Sequence, residues 1–226
     1  MKIKFYAHAS FRLEGDNITV ITDPYTPGPG GSGFDPINEP ADIVIMSSDD
    51  DRFHSDPSHV LGNPVVINAL DIGPAGITVK GLHIQAFPTM ESLTHDFSGR
   101  DPRANAMYAF TLDGIRVLHT GDIGNPFTEE HLEALKQRVD LMFALAGGRA
   151  TIALDDLDRA LEIIQPRVII PMHYYSRRGV LDILPVTAFT DRFPESRVTW
   201  VGSPELIITR ETLPDTSHVY VLDQAR

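Results

Sequence analysis

The chain has 226 residues, 42% hydrophobic and 22% charged, the balance of a globular protein able to bury a full core. The 31 acidic and 19 basic residues leave a formal net charge of −12, and no basic cluster exceeds Arg177-Arg178, which argues against nucleic-acid or anionic-membrane binding. There is no cysteine, so disulfides, thiolate ligands and cysteine nucleophiles are excluded.

In chain order, residues 3–6, 11–13 and 18–22 read as short strands, with Gly15-Asp16-Asn17 as a hairpin turn. The Gly/Pro-rich stretch from Pro24 to Gly33 is a loop, either a flap over strand ends or a loose connection. Residues 43–46, 65–68, 77–79, 82–87, 107–112 and 116–119 are further strands, with Asp113-Gly114 as a second hairpin turn. Thr128 caps a helix over 129–139, and leucines at 157 and 161 with Ile164 mark one over 155–164. Strands at 141–145 and 168–171 flank that second helix. A third helix over 187–193 and closing strands at 198–201 and 206–209 complete the pattern. No linker divides the chain, so one domain over 1–226 is expected, a two-sheet sandwich with helices outside. The N-terminus lacks an apolar signal core and no run approaches the ~20 apolar residues of a membrane span. A cytoplasmic protein is expected.

Three polar segments follow apolar runs: Ser47-Ser48-Asp49-Asp50-Asp51-Arg52-Phe53-His54, His119-Thr120-Gly121-Asp122 and His173-Tyr174. Imidazoles and carboxylates gathered at strand ends are the ingredients of a divalent-metal site.

With His8-Ala9-Ser10-Phe11, Thr22-Asp23-Pro24-Tyr25, Pro88-Thr89, Ala146-Gly147-Gly148 and Ile170-Pro171-Met172-His173-Tyr174, the chain resembles the metallo-β-lactamase superfamily. The nearer likeness is to its stand-alone metal-dependent hydrolases, the group that includes the ascorbate-6-phosphate lactonases. The resemblance implies an α/β fold, the αββα sandwich of two mixed β-sheets with outer helices. It also implies a divalent metal that activates water against an ester, lactone, amide or phosphodiester.

The family's main motif, H-x-H-x-D-H, is altered. Its positions fall on Ser48, Asp50, Arg52 and Phe53, and Glu91 stands where a third histidine is usual. Asp122, the family's bridging carboxylate, and His173, its last histidine ligand, are retained. The resemblance therefore implies a remodelled, carboxylate-rich, single-metal site of Asp50, Glu91, Asp122 and His173, with His54 swinging in from the next position. Zinc, manganese or iron would suit such a set. Asp122 and Asp51 are the candidate catalytic residues, because Arg52 replaces the usual proton-handling aspartate and stays protonated. His8, His95, His119 and Tyr174 are candidates for substrate contact or for support of the ligands. Phe53 is expected to pack inward while His54 faces the site, as neighbours on an extended segment do. The alternative is a metal-free, non-catalytic binding protein in which Arg52 fills the vacancy. A small-molecule substrate fits either reading, and self-association stays open.

Overall fold

The computed structural model describes residues 1–49, 51–73, 75–91, 105–149 and 151–226. Among these, fourteen strands form two sheets. The first comprises β1 (Lys2–Ala7), β2 (Ser10–Gly15), β3 (Ile18–Thr22), β4 (Ile43–Met46), β5 (Val65–Asn68) and β13 (Glu205–Ile207), in the order β13-β1-β2-β3-β4-β5. The second holds β6 (Ile77–Val79), β7 (Leu82–Thr89), β8 (Asn105–Leu112), β9 (Ile115–His119), β10 (Leu141–Leu145), β11 (Val168–Met172), β12 (Val198–Trp200) and β14 (His218–Val221). Its order is β12-β14-β11-β10-β9-β8-β7-β6.

Both sheets are mixed. Strands β3, β4 and β5 are parallel, as are β9, β10, β11, β14 and β12; sequence-adjacent strands and the long-range β1–β13 pair supply the antiparallel pairing. The β2–β3 turn places Asp16 and Asn17 at φ 47° and 59°, left-handed angles that short polar residues tolerate and that match the strand twist. Strands β10 and β11 are apolar and buried along their whole length, as parallel strands covered on both faces must be.

Helix α2 (Leu154–Ile164) crosses from β10 to β11 and buries Leu157, Ala160, Leu161 and Ile164 along one stripe. Helix α1 (Glu129–Leu135) lies beside it over β7 to β9. It ends at Leu135, short of the expected 139, because Gln137 turns left-handed at φ 56°; Val139 returns to the core from that turn. Helix α3 (Thr187–Thr190) is likewise shorter than expected, and Phe193 folds back onto Phe189 with ring centroids 5.0 Å apart. Strand β14 has no counterpart in the sequence reading, which treats His218 as tail.

The core between the sheets is joined by aromatics. Phe5 stacks on Phe11 at 4.6 Å, and Phe11 meets Phe143 of the opposite sheet at 4.1 Å. Such pairs add about 0.5–1.5 kcal/mol beyond the apolar burial itself. The outer face of the six-stranded sheet is covered by the segment 24–41, whose Tyr25, Phe34 and Ile37 pack on Tyr6, Ile21 and Val44. The Gly/Pro stretch is therefore a packed cover, tied down where Thr26 N–H donates to the Arg52 carbonyl at 2.7 Å. No helix among the described residues is long and apolar enough to cross a membrane.

Candidate metal centre

Six strands deliver the polar segments, each from its C-terminal end. In the first sheet β1, β3 and β4 lead to His8, Asp23 and the 47–54 segment; in the second β9, β10 and β11 lead to Asp122, Gly147 and His173. Crevices outside the carboxyl ends of strands are where open α/β sheets bind ligands.

His54 is the hub. Its ring is fully buried, with Nδ1 2.9 Å from Asp23 Oδ2 and Nε2 3.6 Å from Asp122 Oδ2. His173 Nε2 approaches Asp122 Oδ1 at 3.3 Å, and His8 lies 4.0 Å from the His173 ring centroid and 5.1 Å from that of His54. Ligand atoms of His8, His54 and His173 lie within 4.8 Å of one another, and so do those of Asp51, His54 and Asp122. A local turn brings His54 inward. The Phe53 N–H donates to Asp51 Oδ1 at 2.8 Å, and the His54 and Ser55 N–H groups donate to the Asp51 carbonyl at 3.3 and 3.0 Å. Alternation along an extended strand is thus not the reason His54 faces the site: this stretch is a turn, and Phe53 stays half-buried with its ring 5.2 Å from His8.

A second layer holds these groups. Asp23 accepts from Ser47 Oγ at 2.6 Å, Ser47 N–H at 2.9 Å and Tyr108 Oη at 3.2 Å. His119 accepts from Gly121 N–H at Nδ1 (3.1 Å), so its Nε2 carries the proton donated to the Ala9 carbonyl (2.9 Å). Asn105 accepts the Asp122 N–H at 2.8 Å and donates to Thr89 Oγ1 at 2.6 Å. His8, Asp23 and His173 all have left-handed backbones, with φ of 58°, 36° and 53°. Strain of this kind persists only where the surroundings over-determine it, and it concentrates at functional sites.

The residues fit a cation. Among the described residues, buried His8 Nε2, His54 Nε2 and His173 Nδ1 have no hydrogen-bond partner, an expensive condition for polar atoms in three neighbouring buried rings. Without a cation, burial opposes charge on His54, but its hydrogen bond to Asp23 and the charges of Asp122, Asp51 and Asp23 raise its pKa to about 10. His173 is pushed down to about 3 by burial and by His54, and His8 falls well below its ordinary value by burial and by His173. Asp23 stays ionised: burial pushes its pKa up, but His119, His54 and Ser47 together bring it below the usual range.

A family profile, the beta-lactamase superfamily domain, matches residues 2–173. The chain belongs to the metallo-β-lactamase superfamily. A provisionally assigned Zn-dependent hydrolase of that superfamily from Thermotoga maritima is 30% identical, with a TM-score of 0.75 over 98% of this chain and 97% of that one. A UPF0173 metal-dependent hydrolase of Archaeoglobus fulgidus is 27% identical over 201 residues, 77% of this chain and 83% of its own length. An isothiocyanate hydrolase from Delia radicum gut bacteria shares the fold, with a TM-score of 0.64 at 13% identity over 97% of this chain and 96% of that one.

Against the superfamily motif, the site is richer in nitrogen than the sequence reading expects. His8, there a supporting residue, stands among the groups able to hold a cation. Asp50 and His95 lie outside the described residues. Glu91 is buried just past β7 but belongs to neither group; the adjacent Met90 carbonyl accepts the Gly124 N–H at 2.9 Å. Asp51 is buried and accepts from Ser48 Oγ at 3.3 Å. His119 has both ring nitrogens engaged and is turned away from the centre, while Tyr174 sends its hydroxyl to the Leu222 carbonyl at 3.4 Å. Arg52 is exposed, its guanidinium 4.7 Å over the Phe53 ring. Asp23 is absent from the sequence-derived site, although Thr22-Asp23-Pro24 is among the residues that carry the family likeness.

Proposed function

We propose that this superfamily member is a metal-dependent hydrolase of a small ester, lactone, amide or phosphodiester. The observation that carries this reading is the junction of the two groups at His54, where the imidazoles of His8, His54 and His173 meet the carboxylates of Asp51 and Asp122. His8, His54, His173, Asp51 and Asp122 would hold a single divalent cation. Their mixed nitrogen and oxygen donors suit zinc, manganese or iron. When bound, such an ion supplies Lewis acidity that acidifies water and polarises a carbonyl or phosphoryl oxygen.

The chain's own groups do the rest. Asp23 fixes the His54 tautomer, placing the proton on Nδ1 and leaving Nε2 toward the centre. Asn105 anchors the Asp122 backbone. Asp51 is the proposed acceptor of the proton released by the attacking water, since Arg52 faces outward and cannot take it.

Metal analysis of protein purified without chelator or metal-affinity tag, followed by an ester and phosphodiester panel, tests the reading. Near-stoichiometric metal, with hydrolysis lost in His54→Ala and Asp122→Asn, is expected. Neither metal nor hydrolysis would leave the His54 imidazolium as the site's own cation and favour the metal-free binding protein.

A further inference from the structure

Strand β5 closes the six-stranded sheet on the side away from β13, and among the described residues no strand pairs with its outer edge. It runs parallel to β4, with Ile43 beside Val65 and Ile45 beside Ile67, and the Val65 N–H donates to the Asp42 carbonyl at 3.0 Å. In a ladder of this kind alternate residues turn their backbone groups to the neighbour. Val65 and Ile67 face β4. The Pro64 C=O, the Val66 N–H, the Val66 C=O and the Asn68 N–H are then left, in that order, on the open edge. We propose that this edge joins a second copy of the chain, antiparallel about a two-fold axis at Val66, so that two six-stranded sheets become one. The inference goes beyond the hydrolase reading and does not depend on it.

Three observations select a second copy as the partner. The edge is its own complement. Turned through the two-fold, each Val66 N–H meets the Val66 carbonyl of the other copy, and each Asn68 N–H meets its Pro64 carbonyl, so all four groups are paired. Proline ordinarily protects an edge, but Pro64 sits where this ladder calls only for an acceptor. The edge is also apolar. Of the seven exposed large apolar side chains among the described residues, Leu61, Val65 and Val66 fall within six positions, at 50%, 40% and 45% exposure. In the proposed register the two Val66 side chains lie against each other and Val65 lies opposite Ile67 of the other copy, the cross-strand contacts that stabilise a sheet. Finally, no charge opposes the union. A two-fold axis sets like residues against like, so a charge on this edge would meet itself. Residues 60–70 hold no Asp, Glu, Lys or Arg, in a chain with 31 acidic and 19 basic residues. Edges that must remain single commonly carry lysine. The Asn68 side chain donates to the Ser48 carbonyl at 3.3 Å, so the joined edge stands one strand from the segment that delivers His54.

The test is sedimentation of the full chain from about 1 μM to about 1 mM, the range suited to an interface below standard size. A reversible dimer is expected. Val66→Lys, at an exposed position, sets two ammonium groups opposite each other and should weaken association by about tenfold or more, with the circular dichroism unchanged. The chain has no cysteine, so Val66→Cys reports the register by itself. Paired α-carbons at this position stand about 5.5 Å apart, within reach of a disulfide. Mild oxidation should cross-link Val66→Cys about tenfold faster than Trp200→Cys on β12, an exposed edge of the other sheet, because pairing raises the local thiol concentration. A chain that stays monomeric throughout this range, and so leaves the edge to a different partner, overturns the proposal. So does a dimer that a folded Val66→Lys leaves intact, or equal cross-linking of the two cysteine variants. If Val66→Lys does not fold, the cross-linking comparison decides alone.

Discussion

The backbone N–H of His173 donates to the carbonyl of His8 over 2.7 Å, and the two imidazoles lie 4.0 Å apart between centroids. One residue leaves β1 of the six-stranded sheet, the other β11 of the eight-stranded sheet, so this bond ties the sheets together at the proposed cation. Both residues are left-handed, a backbone state that costs about 1–2 kcal/mol for an L-residue. The tie offsets part of that cost and fixes which ring nitrogens meet.

Asp23→Asn should weaken metal binding by about 10–100-fold, the usual effect of losing a carboxylate behind a histidine ligand. The amide can offer its NH₂ to His54 Nδ1 and so permit the wrong tautomer. Competition against a chromophoric chelator measures this. An unchanged dissociation constant would mean that Asp23 does not orient His54.

Gly147→Ala should destabilise the protein by about 1–3 kcal/mol, the range for a forced overpacking. The new β-carbon would fall 2.3 Å from the His173 carbonyl oxygen, so relief requires that residue's backbone to move, and metal affinity should drop with it. Gly30→Ala is the control, since nothing lies within 4 Å of where its β-carbon would stand. Urea unfolding of both variants decides the matter; equal midpoints would refute the close approach.

Chelator-treated protein should be most stable near pH 6.5. His54, with its pKa raised to about 10, contributes stability that is complete below 6.5 and lost as pH rises through 10. His173, lowered to about 3, and His8, also lowered, act oppositely: their contribution is complete above 6.5 and lost as pH falls. Urea midpoints across this range should trace a maximum, and a curve still rising at pH ~9 would contradict the His54 assignment. Metal uptake at neutral pH should expel the His54 proton, which calorimetry in buffers of different ionisation enthalpy detects.

Arg52→Asp should leave the metal content unchanged. The guanidinium lies over Phe53 at the surface, so its loss removes a cation–π contact of about 0.5–1 kcal/mol and, among the described residues, frees no carboxylate. A large gain in bound metal would show instead that Arg52 blocks the site.

Strands β3, β4, β5, β6 and β10 were legible to the residue, because short runs of β-branched or large apolar residues bounded by turn formers leave little else to form. Strand β14 was not. His218 to Val221 is short, and its pairing partners β11 and β12 are set by tertiary contact rather than local pattern. The same limit applies at the centre. His54, Asp122 and His173 could be read from their places after apolar runs. Asp23 could not, because what defines it are donors from Ser47, His54 and Tyr108, up to 85 positions away. His8 was read as support because family likeness speaks of usual roles, whereas the turn that draws in His54 and the ring packing of His8 against it emerge only in the folded chain.

His54 has no exposed surface, and His8, His173 and Asp122 are only 3–7% exposed. An ion seated among them would be largely shielded from bulk solvent by the side chains that hold it. Exchange should then be slow, and the ion captured as the chain first folds should be retained. The metal found in purified protein would therefore record the medium in which the cells grew. Refolding from denaturant in the presence of each candidate ion is the fairer measure of preference.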